Sequence, residues 1–315
     1  MVMSKLSVIV PVYYNADTLE LLYKDMQEKI FTAMPPEDQY ELVMVDDGSG
    51  DDSWEVMKSI AGKDKNVVLV KLSRNFGSHA AVLAGFSVCT GDCATVKSAD
   101  LQEPSEIIMQ MFQSWKNGNK VVLAVRSDRE EGAIQKTLSN MYYDLVRKLA
   151  IKSMPKGGFD CYLIDRKVIE VLKLMDEKNS AITLQILWAG FRTDMIYYVR
   201  KKREIGRSRW TLAKKIKLAV ESVVSFSFIP IRFMSVIGTI FFIVSVFWGM
   251  FVLLSKVFGN IQVQGWTTLM ILLLFSSGII MLTLGILGEY IWRGMDAARN
   301  RPVYIIDEIF RNDDY

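Results

Sequence analysis

Short apolar runs recur along the first hundred residues, and each is followed by a polar turn and then by a segment with helical spacing. The apolar runs are Ser7–Val12, Glu41–Val45, Val67–Leu72 and Cys93–Val96. The segments with helical spacing are Thr18–Phe31, Ser53–Ala61 and His79–Cys89, and a further helix is expected to begin at Pro104. Continuous apolar runs of this length are typical of buried parallel strands, so their alternation with helices predicts a doubly wound, mostly parallel α/β sheet.

The middle of the chain continues this pattern for one more unit. Val121–Arg126 is predicted to be a strand that ends in a cation, and Thr137–Ala150 has the spacing of a helix. Residues 127–137 between them are polar and contain glycine, which predicts a mobile surface loop.

The pattern changes after residue 227, where most of the apolar excess lies. Phe233–Ser255 and Thr267–Gly288 contain no charged residue, and each is long enough to cross a hydrocarbon core about 30 Å thick. We therefore predict two transmembrane helices. Lys214–Phe228 mixes cations with apolar residues and predicts an amphipathic helix at the membrane interface. Arg301–Ile306 is strand-like and is expected to add to a sheet edge, of this chain or of a neighbour.

Positive charge flanks the two predicted spans. The flanking cations are Lys214, Lys215, Lys217 and Arg232 before the first span, and Arg293, Arg299 and Arg301 after the second. Because loops rich in Lys and Arg stay on the cytoplasmic side, both termini are predicted to be cytoplasmic. A basic run also suits a nucleic acid, but the adjoining apolar segments favour the membrane.

Composition excludes several kinds of site. Three cysteines form no disulfide framework, and Cys89 and Cys93 lack nearby partners for a zinc site. The single histidine, His79, argues against histidine triads and sites with several histidine ligands. Neither a GxGxxG nor a GxxxxGK[ST] motif is present, so a dinucleotide-binding Rossmann site and a P-loop are both unsupported.

Polar side chains follow the predicted strands at the points where the strands end. These side chains are Asp46, Asp47, Arg74, Asn75, Asp100 and Gln102. The carboxyl ends of parallel strands meet at one edge of a sheet, where ligands bind, so these residues are expected to gather there. The oxygens of Asp100 and Gln102 suit Mg²⁺ or Mn²⁺ shared with a diphosphate. The alternatives are a helix-capping role for Asp100 and a plain turn at Asp46-Asp47.

Four motifs in order resemble those of the inverting glycosyltransferases of family 2, which have a GT-A fold. The motifs are Val10–Asn15, Val45–Ser49, Leu72–Gly77 and Ala99–Pro104. The resemblance is strongest to the polyprenyl-phosphate branch, which includes bactoprenol glucosyltransferases and dolichol-phosphate mannose synthases. It implies nucleotide-sugar binding by Pro11, Tyr13, Asn15, Asp46 and Asp47, with Arg74 near the donor.

The metal motif departs from the family pattern. The family usually has Asp-x-Asp-x-Gln, whereas this chain has Ser98, Asp100 and Gln102. The resemblance implies Mg²⁺ or Mn²⁺ on Asp100 and Gln102, with Ser98 as a weak ligand. Ser98 shares strand parity with Asp100, and Lys97 should face away. We predict weak binding of the cation without the donor diphosphate, because a neutral hydroxyl replaces one anionic ligand.

Acceptor-side residues are implied by two further segments. Gly157–Arg166 resembles the segment around the family's acceptor-side aspartate, which makes Asp160 the candidate; the alternative is a structural carboxylate paired with Arg166. Arg203–Trp210 resembles the family's Arg-x-x-Gly-x-Ser motif. This resemblance implies that Arg203 and Arg209 bind the acceptor phosphate. A looser resemblance adds Arg126 and Ser139 to the same role.

The resemblance implies an integral protein of the bacterial inner membrane that moves one sugar, favoured to be glucose from a UDP-sugar, to polyprenyl (undecaprenyl) phosphate at the cytoplasmic face. Residues 1–210 would form a cytoplasmic GT-A domain, 211–232 juxtamembrane helices, 233–291 two spans and 292–315 a cytoplasmic tail. A GDP-sugar donor and a homo-oligomer are left open.

Three other functions bear comparison with the sequence. A processive polysaccharide synthase would carry a Gln-x-x-Arg-Trp motif, which the segment ending at Trp210 does not match. A transporter would have ionisable residues in its spans, and the predicted spans have none. A nucleotide-sugar-binding membrane protein with impaired catalysis is conceivable because of Ser98.

Overall fold

The computed structural model describes residues 3–129, 133–175, 181–200, 226–227, 229–258 and 265–312. The chain divides into two compact units. The first comprises residues 1–223 and 302–315, and the second comprises residues 224–301. The second unit is therefore inserted, in sequence, ahead of the last strand of the first.

The first unit is built on one eight-stranded sheet with the strand order β7-β5-β6-β4-β1-β2-β3-β8. The strands are β1 Lys5–Val12, β2 Gln39–Asp46, β3 Val67–Leu72, β4 Cys93–Val96, β5 Val121–Arg129, β6 Phe159–Asp165, β7 Thr193–Arg200 and β8 Ile306–Arg311. The helices are α1 Ala16–Met26, α2 Ser53–Ala61, α3 Ser78–Val88, α4 Glu106–Lys116, α5 Ala133–Leu149, α6 Arg166–Leu174 and α7 Ile182–Trp188.

The prediction of a mostly parallel α/β sheet is confirmed. β1 pairs in parallel with β2 and β4, β2 with β3, and β5 with β7. β6 runs antiparallel to β4 and β5, and β8 runs antiparallel to β3. The chain first adds strands on one side of β1 and then crosses to place β4 on the other side.

The core lies between the sheet and the helices on its two faces. Leu19, Leu22 and Met26 of α1 are fully buried in the same cluster as Val10 and Leu42 of the sheet. Burying a side chain of this size contributes roughly 1.5–3 kcal/mol. On α3, a Cβ atom added to Gly85 would lie 2.5 Å from Ile9 Cγ2, so the glycine lets this helix approach β1 closely.

Three local predictions differ from the structure. The helix predicted over Thr18–Phe31 is α1 followed by a π-helical turn at Gln27–Phe31, because the Thr32 N–H donates to the Gln27 carbonyl five residues back, at 3.0 Å. The predicted loop 127–137 is wrong for most of its length, since β5 extends to Arg129 and α5 begins at Ala133. The C-terminal strand begins at Ile306, where the predicted one ended, and it pairs with β3 of the same chain.

The second unit contains two long helices, α8 Ile229–Phe258 and α9 Trp266–Ala298. Both predicted spans lie inside these helices. By length and composition, each helix could cross a membrane, and their most apolar stretches are 6% and 0% buried. Large apolar side chains such as Phe247 and Met281 are about 70% exposed. A core helix of a soluble protein would bury these side chains, so their exposure favours a lipid environment. The predicted amphipathic helix Lys214–Phe228 lies almost wholly outside the described residues.

Candidate functional site

The candidate site begins at a gap between β1 and β4. The last link between these strands is the hydrogen bond from Lys97 N to the Ile9 carbonyl oxygen, at 2.9 Å. Pro11 lies two residues beyond Ile9 on the same side of β1, where β4 has already ended at Val96. Pro11 has no N–H group to donate there, so the proline leaves no unpaired donor. This gap is the point at which the strand order reverses, where open α/β sheets bind ligands.

The loop after β1 is held by the turn after β2. The Tyr13 N–H donates to Asn15 Oδ1 at 3.0 Å, within the loop. The N–H groups of Tyr14 and Asn15 then donate to the hydroxyl oxygens of Ser49 and Ser53, both at 3.0 Å. These bonds fix Asn15 and leave the Tyr13 ring exposed beside the gap. The serines were not singled out from the sequence, because a hydroxyl in a turn gives no indication of its partner.

Asp46 is the last residue of β2 and is fully buried. Its Oδ1 accepts from the Ser49 N–H at 3.0 Å, whereas its Oδ2 has no hydrogen-bond partner among the described residues. A buried carboxylate oxygen without a partner is costly and rare in native proteins. A ligand that brings an N–H or O–H donor to this oxygen would remove that cost.

Asp47 is also buried, but both of its oxygens have partners. Oδ1 accepts from Phe76 N at 2.7 Å, and Oδ2 accepts from Gly77 N at 3.0 Å. Burial raises the pKa of Asp47; the two backbone hydrogen bonds act against this, and the nearby Asp46 charge adds to it. Asp47 therefore ties the turn after β2 to the loop after β3. That loop presents Arg74, whose guanidinium is exposed and lies 4.1 Å from the centre of the Phe76 ring.

The turn after β4 carries the predicted metal ligands. Asp100 Oδ1 accepts from Gln102 N at 3.2 Å, and Leu101 between them has a φ of +57°. Ser98, Asp100 and Gln102 are half-buried, whereas Lys97 is 1% exposed. Neither at this turn nor elsewhere in the described chain is a group of three or more His, Cys, Asp or Glu side chains placed to hold a metal. A cation at this turn would therefore find few protein ligands.

The acceptor-side candidates are described only in part. Arg126 is buried on β5, which runs parallel to β4, so it lies toward the same edge as Asp100. The side chains of Asp160 and Ser139, and the whole of Arg203 and Arg209, lie outside the described residues. Arg166 donates to the carbonyl oxygens of Gly91 and Cys89. The assignments of these acceptor-side residues stay predictions.

The family model described as Glycosyl transferase family 2 matches residues 7–173, which is more than half of the chain. The chain belongs to glycosyl transferase family 2. The matched segment contains the whole candidate edge from Pro11 to Gln102. The sequence-based predictions of the family and of an enzyme are thereby confirmed, and the chain is an inverting glycosyltransferase.

Two relatives align with this family 2 member over nearly the whole chain. The SfII prophage-derived bactoprenol glucosyl transferase of Shigella flexneri is 34% identical over 309 residues, 98% of this chain and 99% of that protein. The uncharacterized glycosyltransferase YkcC of Bacillus subtilis is 34% identical over 305 residues, 96% of this chain and 94% of that protein.

Among solved structures, the family 2 chain is similar to glucosyl-3-phosphoglycerate synthase from Mycobacterium tuberculosis. The TM-score is 0.47 at 16% identity, over 70% of this chain and 78% of that chain. A similarity at this level bears on neither ligand nor mechanism.

Proposed function

We propose that the enzyme transfers one glucose from UDP-glucose to polyprenyl phosphate, undecaprenyl phosphate in bacteria, at the cytoplasmic face of the inner membrane. The observation that carries this is the presence, in one chain, of a family 2 domain and two exposed apolar helices. An acceptor with a prenyl tail stays in the bilayer, so the enzyme that uses it has to work at the membrane surface. The alignment with a bactoprenol glucosyl transferase along nearly its full length supports the same acceptor and sugar.

The donor would bind in the gap between β1 and β4. The unpartnered Oδ2 of Asp46 accepts the ring N–H of the base, since it is buried and needs a donor. Pro11, Tyr13 and Asn15 shape the pocket around the nucleoside, Asp47 holds the loop after β3 in place, and Arg74 on that loop lies near the donor. Uracil and guanine both offer a ring N–H, so this contact suits either; the similarity to a glucosyl transferase favours UDP-glucose.

The residues present fit a divalent cation held partly by the donor. Asp100 and Gln102 offer two hard oxygen ligands, and the hydroxyl of Ser98 is a weak third. Mg²⁺ and Mn²⁺ accept such a set when phosphate oxygens complete the coordination. When bound, the cation would stabilise the charge that develops on the leaving nucleotide diphosphate.

The reaction is a direct displacement. A phosphate oxygen of the acceptor attacks the anomeric carbon, and the bond from that carbon to the diphosphate oxygen breaks, so UDP departs with the electron pair and the anomeric centre inverts. The second pKa of a phosphate monoester is about 6, so most of the acceptor is already a dianion at pH 7. Asp160 orients the acceptor or takes its residual proton. Arg126, Ser139, Arg203 and Arg209 bind the acceptor phosphate.

The proposed topology places the catalytic domain and both termini in the cytoplasm. Lys and Arg residues flank both long helices, and positive loops favour the cytoplasmic side. The cluster of cations in residues 200–217 would lie against anionic lipid headgroups, each contributing about 1 kcal/mol. Proteolysis of right-side-out and inverted vesicles tests this arrangement, since only inverted vesicles should expose the catalytic domain.

The function is tested by assaying the purified full-length enzyme in detergent with undecaprenyl phosphate and Mg²⁺ or Mn²⁺. A panel of radiolabelled UDP- and GDP-sugars is supplied, and the lipid extract is analysed for a lipid-linked monosaccharide. Product from UDP-glucose alone is the expected result. Product from another donor would correct the sugar. Nucleotide binding without any product would indicate a protein with impaired catalysis and would overturn the proposal.

A further inference from the structure

Lys97 is a charged residue in a buried position. It is 1% exposed and belongs, with Phe86 and Phe112, to the largest fully buried side chains of the described residues. Lysine is almost never buried to this degree unless its ammonium group is paired. A methionine would fill a similar volume without the cost of burying a charge, so the contacts of the ammonium group call for an explanation.

Those contacts close the turn that carries the candidate metal ligands. Lys97 Nζ donates to the main-chain carbonyl oxygen of Glu103. The Glu103 carboxylate, which is itself buried, accepts from Ser98 N at 3.3 Å. One side chain thus reaches forward from the start of the turn, and the other reaches back from its end. Asp100 and Gln102 lie on the segment enclosed between them.

The enclosed segment is not regular secondary structure. Residues 97–105 belong to no helix or strand. Leu101 has a φ of +57°, a left-handed conformation that costs a residue with a branched side chain about 1–3 kcal/mol. A conformation of that kind persists only where the surroundings impose it. The hydrogen bonds of Lys97 and Glu103 supply such a constraint at both ends.

Asp25 of α1 lies close enough to Lys97 for their charges to interact. The carboxylate of Asp25 accepts a hydrogen bond from Ser105 Oγ, and its Oδ1 lies 2.6 Å from Lys29 Nζ. Burial raises the pKa of Asp25, but the hydrogen bonds from Lys29 and Ser105, with the charges of Lys29 and Lys97, outweigh burial and lower the pKa below its usual value. An ionised Asp25 thus lies near the buried ammonium group.

We propose that Lys97 and Glu103 form a clamp that fixes the Ser98–Gln102 turn in the shape that receives a divalent cation together with the donor diphosphate. This inference rests on the proposed function, because it assigns the cation to Asp100 and Gln102. Lys97 is then a positioning residue: it supports the ligands without touching the cation. The positions of Asp100 and Gln102 matter more here than they would in a site with an additional carboxylate, because Ser98 supplies only a neutral hydroxyl.

The test compares the full-length enzyme with Lys97→Met and Glu103→Leu, each of which breaks one half of the clamp. Hydrogen exchange of the 98–103 amides is measured first, without metal or nucleotide, and should be faster in both variants. Mn²⁺ binding in the presence of UDP is then followed by electron paramagnetic resonance and should weaken about tenfold or more, as is common when outer-shell partners of a metal ligand are removed. UDP binding without metal should be unchanged.

Lys116→Met is the matched control. Lys116 also pairs with a buried carboxylate, that of Asp38, but it lies at the end of α4, away from the turn. Its removal should lower stability while leaving both the exchange of the 98–103 amides and Mn²⁺ binding as they are.

The outcomes are separable. Unchanged amide exchange and unchanged Mn²⁺ binding in Lys97→Met would show that Lys97 only fills space, and would overturn the clamp. If Lys97→Met does not fold, Glu103→Leu decides by the same two measurements. Wild-type enzyme that binds UDP but no Mn²⁺ would overturn the cation assignment and the clamp with it, whereas turnover in the lipid assay tests the proposed function independently of either variant.

Discussion

Gly48 lies directly against the backbone of Arg74: a Cβ atom at Gly48 would be 2.6 Å from the carbonyl carbon of Arg74. Gly48 also has a φ of +70°, which side chains other than glycine rarely adopt. The turn after β2 and the loop after β3 can approach this closely only if the residue between them has no side chain.

Gly48→Ala should therefore separate the two loops that hold Asp47 and Arg74. We expect UDP binding to weaken about tenfold or more, and the free energy of unfolding to fall by about 1–3 kcal/mol. Calorimetric titration with UDP and thermal unfolding measure the two effects. Gly118→Ala is the control, since Gly118 has a φ of +94° but no atom of the described residues lies within 4 Å of an added Cβ. Equal loss of UDP binding in both variants would contradict the prediction.

Asp46→Asn should weaken UDP binding without lowering the stability of the fold. The buried Oδ2 has no partner in the described part of the chain, so removing the negative charge should leave the free energy of unfolding unchanged or raise it. UDP binding should fall about tenfold or more, because the amide group presents a weaker acceptor or a clashing donor to the base. Asp17→Asn, an exposed acid in the first turn of α1, controls for the loss of charge. Intact UDP affinity in Asp46→Asn would remove Asp46 from the donor site.

Ser98→Asp should strengthen cation binding without the donor. Adding a carboxylate to a site with few anionic ligands should raise Mn²⁺ affinity about tenfold in the absence of nucleotide. The increase should be smaller with UDP bound, since the diphosphate then supplies negative charge. Isothermal titration with Mn²⁺ measures both, and Ser59→Asp, on an exposed face of α2, adds the same charge elsewhere. A wild-type affinity in the tens of micromolar without UDP would contradict the premise of weak binding.

Asp165 should make the fold sensitive to acid. Its carboxylate accepts from Lys120 Nζ at 2.7 Å, Trp115 Nε1 at 2.8 Å and Lys167 N at 3.1 Å. Burial raises the pKa of Asp165, but these partners outweigh burial and hold the pKa below its usual value. Because the folded-state pKa is below that of the unfolded chain, near 3.9, the stabilisation is complete above that pH and is lost as the pH falls through the folded-state value.

Asp165→Asn should accordingly lower the free energy of unfolding by about 2–4 kcal/mol at pH 7. The difference in the free energy of unfolding between the variant and the wild type should persist at pH 5. It should shrink below pH 4, where the wild-type carboxyl begins to gain a proton. Urea unfolding followed by tryptophan fluorescence measures it. A difference that stays constant down to pH 3 would show that packing, and not the charge, carries the effect.

Asp160→Asn should lose more activity at low pH. At pH 6 about half of the acceptor phosphate carries a proton, and at pH 8 almost none does. If Asp160 removes that proton, the loss should be about tenfold or more at pH 6 and only a few-fold at pH 8. Initial rates at saturating donor across this range decide the matter. A loss that does not vary with pH would make the role of Asp160 purely geometric.

The elements that were predictable from sequence are those whose pattern is local. β1 to β4 are continuous apolar runs, and β3, β4 and α2 have the predicted bounds. β6 was not predicted, because Asp160 and Asp165 interrupt its apolar residues. The partner of β8 was not predictable either, because β8 pairs with β3, which lies far from it in the sequence.

In the site, too, local features were predictable from the sequence and long-range contacts were not. Asp46, Asp100 and Gln102 were predicted at one edge because strand ends define that edge. It was not predictable that Asp47, and not Asp46, accepts hydrogen bonds from the loop after β3. This depends on where the backbone N–H groups of that loop lie. The hydrogen bonds of Lys97 and Glu103 are likewise visible only in three dimensions.

The position of β8 has a consequence for biosynthesis. β3 is complete early in translation, but the strand that covers its outer edge emerges only after both long helices have been made. At roughly 5–20 residues per second, the ribosome leaves that edge uncovered for tens of seconds. An open strand edge is a site for mispairing with other nascent chains. Synthesis of the two long helices thus sets the moment at which the sheet can be completed, and a chain whose synthesis stalls within them would present β3 to chaperones and proteases.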